Sequence, residues 1–155
     1  MDNQHQYWMR KAIDNAKIAQ SLMEVPVGAV IVKDNQIIAN GFNQSINQQD
    51  PTAHAEIVAI RQAAKATQNY RLPNTSLYVT LEPCAMCVGA IIHARISHVV
   101  FGAYDQKTGV VCSKSQLFIA DFSNHQPKII AGVLAQECGS LLTEFFQSRR
   151  NNSLR

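Results

Sequence analysis

Two short segments of this 155-residue chain carry side chains that bind metals and move protons. One is His54-Ala55-Glu56, within Pro51-Thr52-Ala53-His54-Ala55-Glu56. The other is Pro83-Cys84-Ala85-Met86-Cys87. Each follows a loop-like stretch and opens a helical pattern. In Cys-x-x-Cys at a helix start, the two sulfurs lie three residues apart and share a face. Free N–H groups and the positive end of the helix dipole favour thiolate over thiol there. Two thiolates and one imidazole make three zinc ligands. Three protein ligands leave the fourth tetrahedral position for water, which is the arrangement of a catalytic zinc. Zinc can lower the pKa of such a water to about 7. Two thiolates cancel the formal metal charge, so the acidification is weaker than at an all-histidine site. A nearby base is then needed more, and Glu56 supplies one. Residues two apart do not share a helix face. Glu56 therefore reaches the site only if the first helical turn lies beside it.

Other readings of the same residues explain less. A thioredoxin-like redox pair would account for Cys84 and Cys87 but leaves His54 and Glu56 without a role. A closed structural zinc site needs Cys112 or Cys138 as a fourth ligand, and neither has a partner at ligand spacing. Cys138 falls in an apolar helical pattern with Leu134, Leu141 and Leu142 and reads as core. Cys112 stays open between the two roles. His93 and His98 read as surface or capping residues, and His5 and His125 lie in polar segments expected to be exposed.

The elements that must position these groups follow from periodicity. Residues 7–23 read as an amphipathic helix, with Trp8, Ala12, Ala16, Ala19 and Met23 near a 3.6-residue spacing. Residues 27–32 and 36–42 read as strands joined by an Asp34-Asn35 turn, a hairpin. Asp50-Pro51 is a helix-start signal, so a helix is expected from there to about Lys65. Residues 76–81 read as a strand, 85–93 as a helix and 98–102 as a buried strand. Ile129 and Ile130 mark a last short strand before a helix over about 134–147. The order α-β-β-α-β-α-β-β-α implies parallel crossovers after an antiparallel hairpin. The expected fold is α/β: a three-layer α/β/α sandwich with a central mixed sheet of about five strands, as one domain over 1–155. Apolar residues at 46% and charged residues at 16% suit a globular domain. No apolar run approaches the roughly 18 residues that span a membrane. Residues 1–10 are polar and lack a signal-peptide core, so a cytoplasmic location is expected. Four cysteines do not make a disulfide scaffold. The net charge of +3 does not by itself indicate nucleic acid, although Arg149, Arg150 and Arg155 cluster in the last seven residues with no acid among them.

His-x-Glu followed by Pro-Cys-x-x-Cys is the signature of zinc-dependent nucleobase deaminases. Cys-x-x-Cys alone is a weak signal; both halves in order, each opening a helix, are a strong one. The chain also resembles the bacterial transfer-RNA adenosine deaminases. The resemblance is carried by Glu24-Val25-Pro26-Val27-Gly28-Ala29-Val30, by residues 50–56, Asn69-Tyr70-Arg71-Leu72, residues 77–87, Val99-Val100-Phe101-Gly102-Ala103 and Lys107-Thr108-Gly109. It covers roughly residues 7–150. It implies a cytidine-deaminase-like fold, one zinc ion per subunit and a homodimer, with no membrane or DNA partner. The implied substrate is the wobble adenosine of a tRNA anticodon stem-loop, of the arginine type. His54, Cys84 and Cys87 match the family's zinc ligands, and Glu56 matches its proton shuttle. Asn43 matches a polar contact to the flipped base, and Val27 an apolar pocket wall. Asp105 and Lys107 fall where the family contacts neighbouring nucleotides. Phe145, Phe146, Arg149 and Arg150 fall on the last helix, which borders the RNA; either Phe can equally be core.

Chemistry is consistent with that implication. Adenine C6 is a poor electrophile until N1 is protonated. Glu56 would take a proton from the activated water, deliver it to N1 and later protonate the departing amine. An anticodon loop is already single-stranded, so unstacking its base costs little. Two rival functions remain at this level. One is a deaminase of a free base or nucleoside such as cytosine, guanine or cytidine. The other is a non-catalytic zinc-containing RNA-binding subunit, which would have no need of Glu56.

Overall fold

The computed structural model describes residues 3–153; Arg155, and with it one of the three C-terminal arginines, lies outside the described residues. The elements follow the expected order. They are α1 (Asn3–Ser21), β1 (Gly28–Lys33), β2 (Gln36–Phe42), α2 (Ala55–Thr67), β3 (Ser76–Leu81), α3 (Ala85–Ala94), β4 (His98–Ala103), β5 (Lys128–Ala131) and α4 (Ala135–Ser153), with one 3-10 turn at Leu117–Ile119. The strands form a five-stranded mixed sheet in the order β2-β1-β3-β4-β5. β1 is antiparallel to both β2 and β3, whereas β3, β4 and β5 run parallel. The β1–β2 hairpin turns on Asp34 and Asn35, both at positive φ, the geometry that keeps a two-residue turn in step with strand twist.

Alternation along the strands separates two cores. Ala29, Ile31, Leu77, Val79, Val99 and Phe101 face one side, with Ala55, Ala59, Ala63, Val88, Ile91 and Ile92 of α2 and α3. Val30, Val32, Tyr78 and Val100 face the other, with Trp8, Met9, Ala12 and Ile13 of α1 and Cys138 of α4. The helices therefore cover both faces of the sheet, giving the three layers. All four cysteines are free thiols.

The bounds of three helices differ from expectation: α1 spans Asn3–Ser21 and not 7–23, so Met23 lies past its end and is exposed, α4 runs on to Ser153 past the expected 147, and α2 starts late. Asp50-Pro51 does not begin a helix. The Asp50 carboxylate instead accepts the Thr52 N–H (2.8 Å) and hydroxyl (2.7 Å), closing a local turn, and α2 starts only at Ala55. Asx-type bonds of this kind compete with helix for the same backbone. Two histidines also differ. His5 is half-buried with Nδ1 2.8 Å from the Tyr78 hydroxyl, and half-buried His125 has Nε2 2.6 Å from the Ile96 carbonyl.

β2, β3 and β4 all end at one edge of the sheet, and antiparallel β1 begins there. α2 and α3 start from this edge. Crevices outside the carboxyl ends of strands are the usual place for ligands in α/β sheets.

Candidate functional site

His54 is the N-cap of α2 and Cys84 the N-cap of α3, both with extended backbone and neither with a side-chain capping bond. Their side chains are thus free to turn toward each other. Cys87 lies three residues into α3, over the cap residue, as cap and N3 side chains do in a capping box. The late start of α2 also resolves the spacing of His54 and Glu56. His54 sits outside the helix and Glu56 inside its first turn, so the rule about helix faces does not separate them.

The ligand atoms of His54, Cys84 and Cys87 all lie within 4.8 Å of one another, the one such group among the described residues. Both sulfurs stand 3.6 Å from His54 Nδ1. Zn–S bonds of about 2.3 Å and a Zn–N bond of about 2.1 Å at tetrahedral angles span an S···N edge of about 3.6 Å. The donor set and its spacing therefore fit zinc. Electrostatics agree. The Cys84 thiol is lowered to about 4, chiefly by hydrogen bonding from Cys87, with His54 contributing. Cys87 is pushed up by sharing that bond with Cys84 and by burial. His54 is raised by its bond to Cys84. Two sulfurs this close cannot both be anionic without a cation, and a divalent metal removes the conflict.

Glu56 is 4% exposed. Burial raises its carboxyl to about 7, and the neighbouring Cys84 adds to the rise. A carboxyl poised near neutrality both takes and gives a proton readily. Cys112 and Cys138 lie outside the cluster. Cys138 is fully buried against the sheet, as its helical pattern predicts, and Cys112 is exposed.

A pocket of about 570 Å³ opens over the cluster, lined by Val27, Asn43, His54, Glu56, Cys84 and a rim that includes Tyr104, Asp105, Lys107 and Phe146. Asn43 Oδ1 accepts the Ala55 N–H at 2.9 Å. Its amide NH2 is left as the group that can donate to a ligand. Phe145 is buried, whereas Phe146 is 44% exposed and lines the mouth. Asp105 is bound up in its own loop: its carboxylate accepts the N–H groups of Lys107 (2.9 Å) and Thr108 (3.1 Å) and the Thr108 hydroxyl (2.9 Å). Arg149 and Arg150 are exposed on α4 and are not part of the pocket wall. The Arg149 guanidinium lies 5.3 Å from the Phe145 ring centroid.

Sequence reasoning missed three residues here. Tyr104, 48% exposed, stands on the rim. Glu24 and Glu82 are buried carboxylates that hold the loops flanking the pocket. Glu24 accepts from Ile46 N (3.1 Å), Asn47 N (2.7 Å) and Asn47 Nδ2 (2.6 Å). Their signal was a charged residue inside otherwise apolar stretches, Glu-Val-Pro-Val and Leu-Glu-Pro-Cys, where an unpaired charge is costly.

The cytidine and deoxycytidylate deaminase zinc-binding region matches residues 2–103. The chain is 55% identical to a tRNA-specific adenosine deaminase of Haemophilus influenzae over 92% of its own length and 83% of that protein. It is 51% identical to one of Buchnera aphidicola subsp. Baizongia pistaciae over 97% of this chain and 93% of that one. A solved structure from work on A-to-I editing by tRNA:A34 deaminases at the wobble position of transfer RNA superposes with a TM-score of 0.86 at 42% identity, covering 88% of this chain and 99% of that chain.

Proposed function

The chain belongs to the cytidine and deoxycytidylate deaminase zinc-binding family and, within it, to the tRNA-specific adenosine deaminases, and from that premise we propose that it hydrolyses the wobble adenosine of an arginine-type tRNA anticodon to inosine. The observation that carries the reading is the three-donor cluster beside buried Glu56 at the base of a pocket open to solvent. His54, Cys84 and Cys87 would hold one zinc ion per subunit. Bound there, zinc supplies a Lewis acid that makes a water nucleophilic near neutral pH.

The chain's own groups do the rest. Glu56 accepts the proton released by the attacking water and delivers it to adenine N1, which makes C6 electrophilic. It then takes the second proton, from the hydroxyl now on C6, and passes it to the amine, which departs as ammonia as the C6–N bond breaks and the C6 carbonyl forms. The Asn43 NH2 donates to an acceptor on the base and fixes its orientation. Val27 walls the pocket with an apolar surface that excludes water. Phe146 and Tyr104 offer ring faces at the mouth, where a splayed nucleotide can stack. Lys107 on the rim and Arg149 and Arg150 on α4 offer cations for phosphates, and Asp105 shapes the rim loop. The reading extends to a homodimer, which sedimentation of the purified protein tests. Among the described residues no helix is long and apolar enough to cross a membrane.

The test is mass spectrometry of an arginine-type anticodon stem-loop after incubation with the enzyme, with free adenosine and cytidine in parallel. Exchange of an amine for a carbonyl oxygen adds about one mass unit at the wobble base. Rapid turnover of a free nucleoside with none on RNA would overturn the substrate assignment.

A further inference from the structure

Glu82 borders the pocket yet is 2% exposed, and among the described residues its carboxylate hydrogen-bonds to neither the three-donor cluster nor Glu56. Every one of its hydrogen-bond donors comes from a single irregular loop. Oε1 accepts Asp105 N (3.0 Å) and the Ser113 hydroxyl. Oε2 accepts the N–H groups of Val111 (3.1 Å), Cys112 (2.8 Å) and Ser113 (2.9 Å). The main chain adds Glu82 N to Ala103 O at 2.9 Å and Val110 N to Pro83 O at 3.1 Å. The loop closes so tightly that a Cβ at Gly109 would stand 2.5 Å from the Glu82 carboxyl carbon.

This loop carries Tyr104, Asp105, Lys107 and Thr108 of the pocket rim. Glu82 lies two residues before Cys84. The carboxylate therefore ties the rim to the strand end that delivers a metal ligand. Resting on the function proposed above, we infer that Glu82 is a positioning residue: it latches the 104–113 loop so that the RNA-contacting rim is built before RNA arrives. A buried charge is tolerated only when its lone pairs are filled. Here the loop's own donors fill them, so Glu82 can stay buried without an unmet bond only while the loop is closed. A loop ordered in advance spares binding the cost of ordering it. The latch should thus govern RNA capture, not the proton transfers at Glu56.

The experiment compares full-length, metal-loaded wild type with Glu82→Gln, Ser113→Ala, Lys107→Ala and the Glu82→Gln/Lys107→Ala double variant. Initial rates are measured on an anticodon stem-loop, together with zinc content and amide hydrogen exchange over residues 104–113. Glu82→Gln places an NH2 against donors. It should raise KM by about tenfold, the factor one or two lost buried bonds produce, and leave kcat within about threefold. Ser113→Ala removes one bond and should shift KM in the same direction by less. Lys107→Ala should raise KM in wild type but add little to Glu82→Gln, because the unlatched loop no longer presents Lys107. Exchange over the loop should speed up in Glu82→Gln. An unchanged KM, or full additivity with Lys107→Ala, overturns the inference, as does a fall in kcat and zinc content together. Should Glu82→Gln not fold, an unchanged KM and unchanged exchange in Ser113→Ala overturn it instead. A wild type inactive on RNA refutes the functional reading separately, while loop exchange in Glu82→Gln still judges the latch.

Discussion

Glu56 sits where a carboxyl is expensive to keep, buried beside two sulfurs and raised to about 7. Nothing in packing requires a carboxylate there, which is why the group reads as chemistry. Glu56→Ala should lower turnover on RNA by about 10²- to 10⁴-fold while zinc content and RNA affinity hold; activity within tenfold of wild type would remove Glu56 from the mechanism. The cysteines divide along the same line. Cys84→Ser and Cys87→Ser should purify with little zinc, by atomic absorption, since each removes one of only three donors. Cys112→Ser should keep its zinc, because that thiol is exposed and outside the cluster. Cys138→Ala should keep zinc too but melt lower, since the sulfur fills core space against Gly102. Zinc loss from either of the last two variants would revive a closed four-ligand site.

Each side chain of the proposed site depends on how closely an element is seated. A Cβ at Gly41 of β2 would overlap the Ala55 carbonyl oxygen in the first turn of α2. Gly41→Ala must therefore push that turn, with His54 and Glu56, off the sheet. Overpacking of this kind costs about 1–3 kcal/mol. Gly28→Ala collides with α1 backbone instead, far along the chain from any ligand. Both variants should melt lower, but Gly41→Ala alone should also lose zinc affinity in a competition titration; equal affinities would mean that the α2 seat is not what sets the ligand geometry. Loops are seated by carboxylates. Burial pushes the Glu24 carboxyl up, but bonds from the Asn47 backbone and side chain and from Ile46 N–H outweigh it, so the folded value lies below 4.5. Its contribution is present above the unfolded value and is lost as pH falls through the folded one. The gap in melting temperature between wild type and Glu24→Gln should be full at pH 7 and close only below pH 4.5; a gap constant with pH would mean the charge is irrelevant. Much of this level was legible in the sequence. β2 and β3 fall at the expected residues, because alternation bounded by turns leaves little choice. The start of α2 did not, because Asp50 could cap a helix or close a turn, and only tertiary context decides between them. Glu82 was visible as a letter but not as a latch, since its partners lie 23 to 31 residues away in a loop without periodicity.

The whole molecule separates what holds the fold from what performs the chemistry. Neither core on the sheet contains His54, Cys84 or Cys87, although Cys87 is itself buried, and the three donors cluster at one edge, at the starts of α2 and α3. A small zinc-finger domain unfolds when its metal leaves because it has no other core. Here the five-stranded sheet and its four helices bury an apolar interior of their own. Metal should therefore add to stability by mass action alone, about 2.7 kcal/mol at a hundredfold excess over Kd. That corresponds to a shift of roughly 5–10 °C for a domain of this size. Treatment with a chelator should abolish deamination and lower the melting temperature by that amount, while far-UV circular dichroism at 25 °C stays that of the folded protein. Readdition of zinc should restore both. RNA affinity should survive stripping within a few fold, because the rim residues Tyr104, Lys107 and Phe146 are held by the loop latch and by α4 and not by the metal. Unfolding on chelation would show that the cluster is part of the scaffold, and the division between fold and chemistry would fail.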